Sequence, residues 1–210
     1  RHYTTTSGWG IKKPGRSRVA LSSLCNYLIQ TVESIYILYY NNSMSKFQST
    51  KILELGSCAF RQPHASHSHC RFIHGYKLSA KFWFEAKELD ENNWVVDFGG
   101  MGDFKKILRD QFDHTTCIAA DDPASDIFQK LAEADACDLR IMPDGTGVER
   151  IAEWCYKAAN RFIAGQTNNR CQCVKVEVFE HENNSAVYTS EIAPSKDLTR
   201  PPFAKQELKL

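Results

Sequence analysis

Residues 76–88, YKLSAKFWFEAKE, set Leu78, Ala80, Phe82, Phe84 and Ala86 against Lys77, Ser79, Lys81, Glu85 and Lys87. Apolar and polar residues alternating with period two are the mark of an antiparallel strand with one face buried and one in water. Such a strand needs partners and a second layer over its apolar face. The partners are legible on both sides. Residues 50–60 read as a strand before it, and residues 171–180 and 185–191 read as strands far downstream, the last pair joined by an Asn183–Asn184 turn. Between them Phe104, Ile107, Leu108 and Phe112 fall at helical spacing, with Asp103 as the cap and an end near Asp113. A second helix is predicted from Gly147 to Ala164, with Val148, Ile151, Ala152, Cys155, Ala159, Phe162 and Ile163 on one stripe and Gly165 as its stop. A third helix is predicted to begin at Asp122–Pro123 and run through Ala134, and DLRIM is predicted as a short strand. Strands at both ends of the order with helices between them define an α+β fold, with two helices covering one face of the sheet.

Length and charge limit the function. A chain of 210 residues can bury a core without disulfides. Its eight cysteines contain no CxxC pair, so they read as reduced thiols and point to a cytoplasmic protein. With 26 basic and 25 acidic residues there is no global field to collect phosphates, and nucleic acid is not an expected partner. The charge is uneven, however. Residues 1–43 hold Arg1, Lys12, Lys13, Arg16 and Arg18 against the single acid Glu33. The apolar stretch Val19–Tyr40 is interrupted by Asn26, Gln30 and Glu33, which argues against a membrane span and against a targeting peptide. Three regions are therefore expected: residues 1–43 as an extension outside the fold, residues 44–193 as the folded domain, and residues 194–210, with Pro201–Pro202, as a loosely held tail.

Four of the seven histidines, His64, His67, His69 and His74, lie within eleven positions around Cys70. Imidazole and thiolate are the ligands zinc prefers, and a catalytic zinc commonly takes three, leaving a position for water or substrate. The plainer alternative is a polar surface loop rich in histidine. Asp113–His114, at the end of the first helix, offers a carboxylate to orient an imidazole, and a thiol from another loop would complete a proton relay. Glu180 ends an alternating strand. Glu149 stands in the first turn of a helix, where an acid is stabilising without any further role. His181 is expected to face solvent.

The segments FRQPHASHSHCRFIHGY, WVVDFGG, FDH, GVERIAEW and VEVFEHENNSAVY together resemble the 6-pyruvoyltetrahydropterin synthase and 6-carboxytetrahydropterin synthase family, from about Leu53 to Tyr188. The resemblance implies the tunnelling fold (T-fold): a four-stranded antiparallel sheet with two helices on one face, assembled into a trimeric barrel and usually a hexamer, with active sites between subunits. It implies Zn2+ as cofactor, with His64 and His74 as ligands. It makes Cys70 the proton-moving base, places Asp113 and His114 as the dyad working with that thiol across a subunit boundary, and gives Glu180 the pterin ring. Glu149 matches the acid of the family's Thr-x-Glu-Asn turn, but the Thr place is held by Gly147 and the Asn place by Arg150. The third zinc histidine is replaced by Tyr76, a much poorer ligand than imidazole at neutral pH. His69, with His67 as second choice, is then the expected replacement, so that the ligand set becomes His64, His69 and His74. The implied substrate is 7,8-dihydroneopterin triphosphate. The implied reaction is that of a lyase yielding 6-carboxy-5,6,7,8-tetrahydropterin, a precursor to queuosine and other deazapurines. The alternatives are the pyruvoyl-type reaction, a non-catalytic pterin-binding or structural protein on the same fold, and an aldolase or epimerase working on dihydroneopterin.

Overall fold

The computed structural model describes residues 27–34 and 46–190. The chain divides into two compact units, residues 1–45 and 46–210. Of the first, residues 27–34 form a short helical segment in which Thr31 and Ser34 return their hydroxyls to the carbonyls four residues back. The expectations placed on the rest of residues 1–43 and on the 194–210 tail lie outside the described residues. No helix among the described residues is long and apolar enough to cross a membrane.

The second unit is one six-stranded sheet in the order β4-β3-β1-β2-β5-β6. Its strands are β1 Phe47–Phe60, β2 His74–Ala86, β3 Thr115–Ala119, β4 Asp138–Met142, β5 Cys171–His181 and β6 Asn184–Thr189. Its helices are α1 Gly102–Phe112, α2 Ser125–Glu133 and α3 Val148–Gln166. β1, β2, β5 and β6 pair antiparallel, but the sheet is larger than the four-stranded antiparallel one that the resemblance implies. Two parallel strands, β3 beside β1 and β4 beside β3, are added to it, so the sheet is mixed. β3 was not predicted because TTCIA is only five residues long, too short to show a period. Two helix boundaries also differ. Asp103 lies inside the first turn of α1 rather than capping it, and α3 runs through Gly165 to Gln166.

The core fills the space between one face of the sheet and the helices. Leu78, Phe82 and Phe84 of β2 meet Phe104, Leu108 and Phe112 of α1 and Ile151, Cys155 and Ile163 of α3. Phe82 stands edge-on to Phe104 at 5.2 Å, and Phe112 edge-on to Trp154 at 5.0 Å, the geometry aromatic quadrupoles prefer. Each fully buried side chain of this size contributes about 1.5–3 kcal/mol.

Both long pairings contain a bulge. In β5, Trp83 pairs with Lys175 but Phe84 pairs with Cys173, leaving Val174 as the extra residue. The simple alternation read from CQCVKVEVFE therefore breaks. Cys171 and Cys173 are buried, as Val176 and Val178 are. The buried Asn160 of α3 pins this irregularity: its amide donates to the Cys173 carbonyl (2.8 Å) and accepts from the Cys173 N–H (3.0 Å). Asn160→Ala would orphan both backbone groups. We expect a loss of about 3 kcal/mol, read as a lowered urea midpoint with an unchanged m value. A variant as stable as the parent would show that the clasp contributes nothing.

Candidate functional site

The histidine-rich segment Arg61–Ile73 joins β1 to β2 and is folded by its own turns. The Gln62 N–H donates to the Cys70 carbonyl (2.8 Å), and the Ser68 hydroxyl oxygen accepts from the Cys70 N–H (3.1 Å), capping the single helical turn His69–Arg71. Cys70 is thereby held half-buried just ahead of β2. The Arg71 guanidinium lies over Phe72 at 4.4 Å.

At the start of β2, residues two apart share a face. His74 and Tyr76 thus point the same way, edge to face at 5.7 Å, backed by Phe60 at 4.8 Å from His74 and 6.1 Å from Tyr76. A carbonyl can only accept, so the 2.8 Å contact of His74 Nδ1 with the Phe72 oxygen puts a proton on Nδ1, and in the neutral ring Nε2 is then the acceptor. From β5, His181 comes within 6.1 Å of the Tyr76 ring. Desolvation, followed by the negative charges of Glu180 and Cys70, raises the Tyr76 phenol above its ordinary pKa. Cys70, His74, Tyr76, Glu180 and His181 therefore form one patch at this end of β2 and β5. His181 is exposed, as expected, yet it belongs to the patch.

The ligand set His64, His69 and His74 is not assembled. Among the described residues no group of three or more His, Cys, Asp or Glu side chains could hold a metal ion. The reason lies in the loop turns and the strand parity. His64 is turned outward, with Nε2 3.0 Å from Asp121 Oδ2, and His69 lies against Phe72, ring centroids 6.4 Å apart. The position that shares a face with His74 carries a phenol. As placed, these residues do not fit the zinc that the resemblance implies.

Asp113 and His114 are presented where α1 ends. Asp113 Oδ2 accepts from both Arg109 Nε (3.1 Å) and Nη2 (2.6 Å), a charge-assisted pair across one helical turn. Asp113 Oδ1 accepts from the Ser57 N–H (3.2 Å) and lies 3.0 Å from His114 Nδ1, while the His114 N–H donates to the Ser57 carbonyl (2.7 Å). This carboxylate orients the imidazole and leaves Nε2 facing outward. Arg109, then the Ser57 N–H, holds the Asp113 carboxyl below its usual pKa, so it stays ionised below the ordinary carboxylate range. His114 adopts a left-handed backbone (φ 61°) and its ring is exposed. Opposite it, the β1 bulge places Gly56 at φ 112°, where a Cβ would come within 2.4 Å of Asp113. Among the described residues Cys70 makes no hydrogen bond to Asp113 or His114.

Glu149 lies in the first turn of α3. The turn before it is tied to the histidine segment, because the Thr146 hydroxyl donates to the Arg61 carbonyl and Gln62 packs against Gly147 beside the Glu149 carboxylate. Arg61 in turn faces the buried Asp122 (3.3 Å). Sequence reasoning missed Arg109, Ser57, Gly56 and Gln62. Only Arg109 had a readable signal, its i,i+4 spacing to Asp113. WVVDFGG lines a separate open cavity of about 470 Å³ at the far end of β1, with Phe47, Ser49 and Leu89.

A sequence profile described as 6-pyruvoyl tetrahydropterin synthase matches residues 24–191. Among solved structures, an uncharacterized protein of Wolinella succinogenes is 20% identical, with a TM-score of 0.57 over 70% of this chain and 99% of its own. The 6-pyruvoyl tetrahydropterin synthase of Plasmodium vivax is 15% identical, with a TM-score of 0.50 over 70% and 99%. That of Plasmodium falciparum is 12% identical, with a TM-score of 0.50 over 69% and 99%. At these identities the structures share the fold. No curated protein matches the chain.

Proposed function

Since the chain belongs to the 6-pyruvoyl tetrahydropterin synthase family, we propose that it is a lyase that takes 7,8-dihydroneopterin triphosphate and water to 6-carboxy-5,6,7,8-tetrahydropterin, with acetaldehyde and triphosphate as the groups released, as a step toward queuosine and other deazapurines. The observation that carries this reading is the single patch of Cys70, His74, Tyr76 and Glu180 where β1, β2 and β5 end together. Glu180 accepts the paired N–H donors of the pterin ring. Cys70 takes a proton from the carbon beside a side-chain hydroxyl, and His114, oriented by Asp113, exchanges protons with that thiol. Within one chain the thiol and the dyad are not joined, so the reading includes a homo-oligomer in which the dyad of one copy meets Cys70 of the next. The exposed Phe47 and Trp94 and the edge strands β4 and β6 are surfaces that such neighbours would cover. No step is routed through zinc, because the histidines as placed make no cage for it. Glu149, tied to the loop through Gln62, is assigned to substrate binding, and the compartment proposed is the cytoplasm.

The test is incubation of the purified protein with 7,8-dihydroneopterin triphosphate, followed by mass-spectrometric identification of the product. Released triphosphate with a 6-carboxy product supports the reading. A three-carbon side chain retained on the product would make it a pyruvoyl-type enzyme, and unchanged substrate would overturn the lyase. Glu180→Gln removes one charged acceptor and is expected to raise KM about 10- to 100-fold. An unchanged KM would take Glu180 out of the site.

A further inference from the structure

We propose that this pocket holds its ligand without a resident metal ion, and that the Tyr76 hydroxyl, beside His74 and His181, binds the side-chain hydroxyls of a dihydropterin. The inference rests on the pterin reading given above and specifies how this chain carries it out.

Its basis is how each donor is committed. His64 gives Nε2 to Asp121, and His69 lies on Phe72, so neither turns toward His74. Among the described residues no three carboxylate, thiol or imidazole side chains are placed so that they could hold a metal ion, those of the patch around Tyr76 included. What does surround the ring of Tyr76 is His74 at 5.7 Å, His181 at 6.1 Å and Phe60 at 6.1 Å. A phenol both donates and accepts, and in the neutral ring of His74 Nε2 is the acceptor, because Nδ1 carries the proton bonded to Phe72. One donor-acceptor hydroxyl beside one acceptor nitrogen complements a vicinal diol, whose two hydroxyls donate and accept in turn. The apolar backing of Phe60 fixes the ring positions and keeps water from one side of the pair. His181, on the neighbouring strand, brings a second imidazole within 6.1 Å of the Tyr76 ring. Tyr76 is on this account a specificity-determining residue, selecting pterins that carry a hydroxylated side chain.

The experiment uses the full chain produced in zinc-supplemented medium and purified without chelator. Elemental analysis gives the metal content, and quenching of neopterin fluorescence gives the affinity with and without EDTA. We expect no stoichiometric zinc, a neopterin affinity that EDTA leaves unchanged, and a roughly 2- to 10-fold weaker affinity in Tyr76→Phe, which keeps the ring and its packing. One zinc per chain, or neopterin binding only when zinc is added, overturns this inference and leaves the pterin reading standing. Equal affinity in Tyr76→Phe removes the role of the hydroxyl. Failure of the protein to bind neopterin under either condition overturns the pterin reading itself.

Discussion

Cys70→Ala is expected to reduce turnover of 7,8-dihydroneopterin triphosphate by about 10²- to 10⁴-fold, the range over which a positioned proton-transfer group acts. The fold should not suffer. The Cys70 side chain is half-buried, and its backbone is held by Gln62 and Ser68 through bonds that do not involve the thiol. Loss of rate at constant thermal stability and nearly constant KM is therefore the signature of a thiol acting in the transition state. The buried cysteines of the core provide the contrast. Burial pushes the Cys171 thiol up to about 11 and Cys173 up to about 12, so neither is a nucleophile at neutral pH. Retained activity in Cys70→Ala, measured by triphosphate release, would remove this thiol from the mechanism.

Gly56→Ala should damage both stability and activity. At φ 112° a side chain is strained whatever its surroundings, and the added methyl would lie 2.4 Å from the Asp113 side chain. Relief requires Asp113 to leave its place against the Ser57 N–H, and His114 would move with it. We expect a loss of about 2–4 kcal/mol in a denaturant titration, together with an activity defect greater than unfolding explains. An alanine variant with the parent's midpoint and the parent's rate would show that β1 does not position the dyad.

The large elements were legible because their signals are long. Thirteen residues of β2 keep one apolar face, and α3 keeps one stripe through nineteen. β3 escaped because it has five residues, four of them buried, and so shows no alternation. The bulges at Leu55 and Val174 escaped because an inserted residue shifts the phase of an alternation without changing its composition. For the candidate site, the family motifs nominated Cys70, His74, Asp113, His114 and Glu180, and strand parity predicted that Tyr76 shares a face with His74. The destination of His64 was not readable. It depends on Asp121, fifty-seven residues away, and no local pattern encodes that contact. Arg109 and Ser57 were hidden for a related reason: their roles are bonds to Asp113, made only once α1 has docked on β1.

Ser57 clasps the Asp113–His114 pair, and three residues further along the same strand Phe60 supports His74 and Tyr76. An extended backbone advances about 3.3 Å per residue and does not stretch, so each copy bears the two halves of the proposed site at a separation of roughly 10 Å set by covalent geometry. Any ring of copies that shares these halves must curve to match that interval. The spacing along one strand would then determine how many subunits can close the circle.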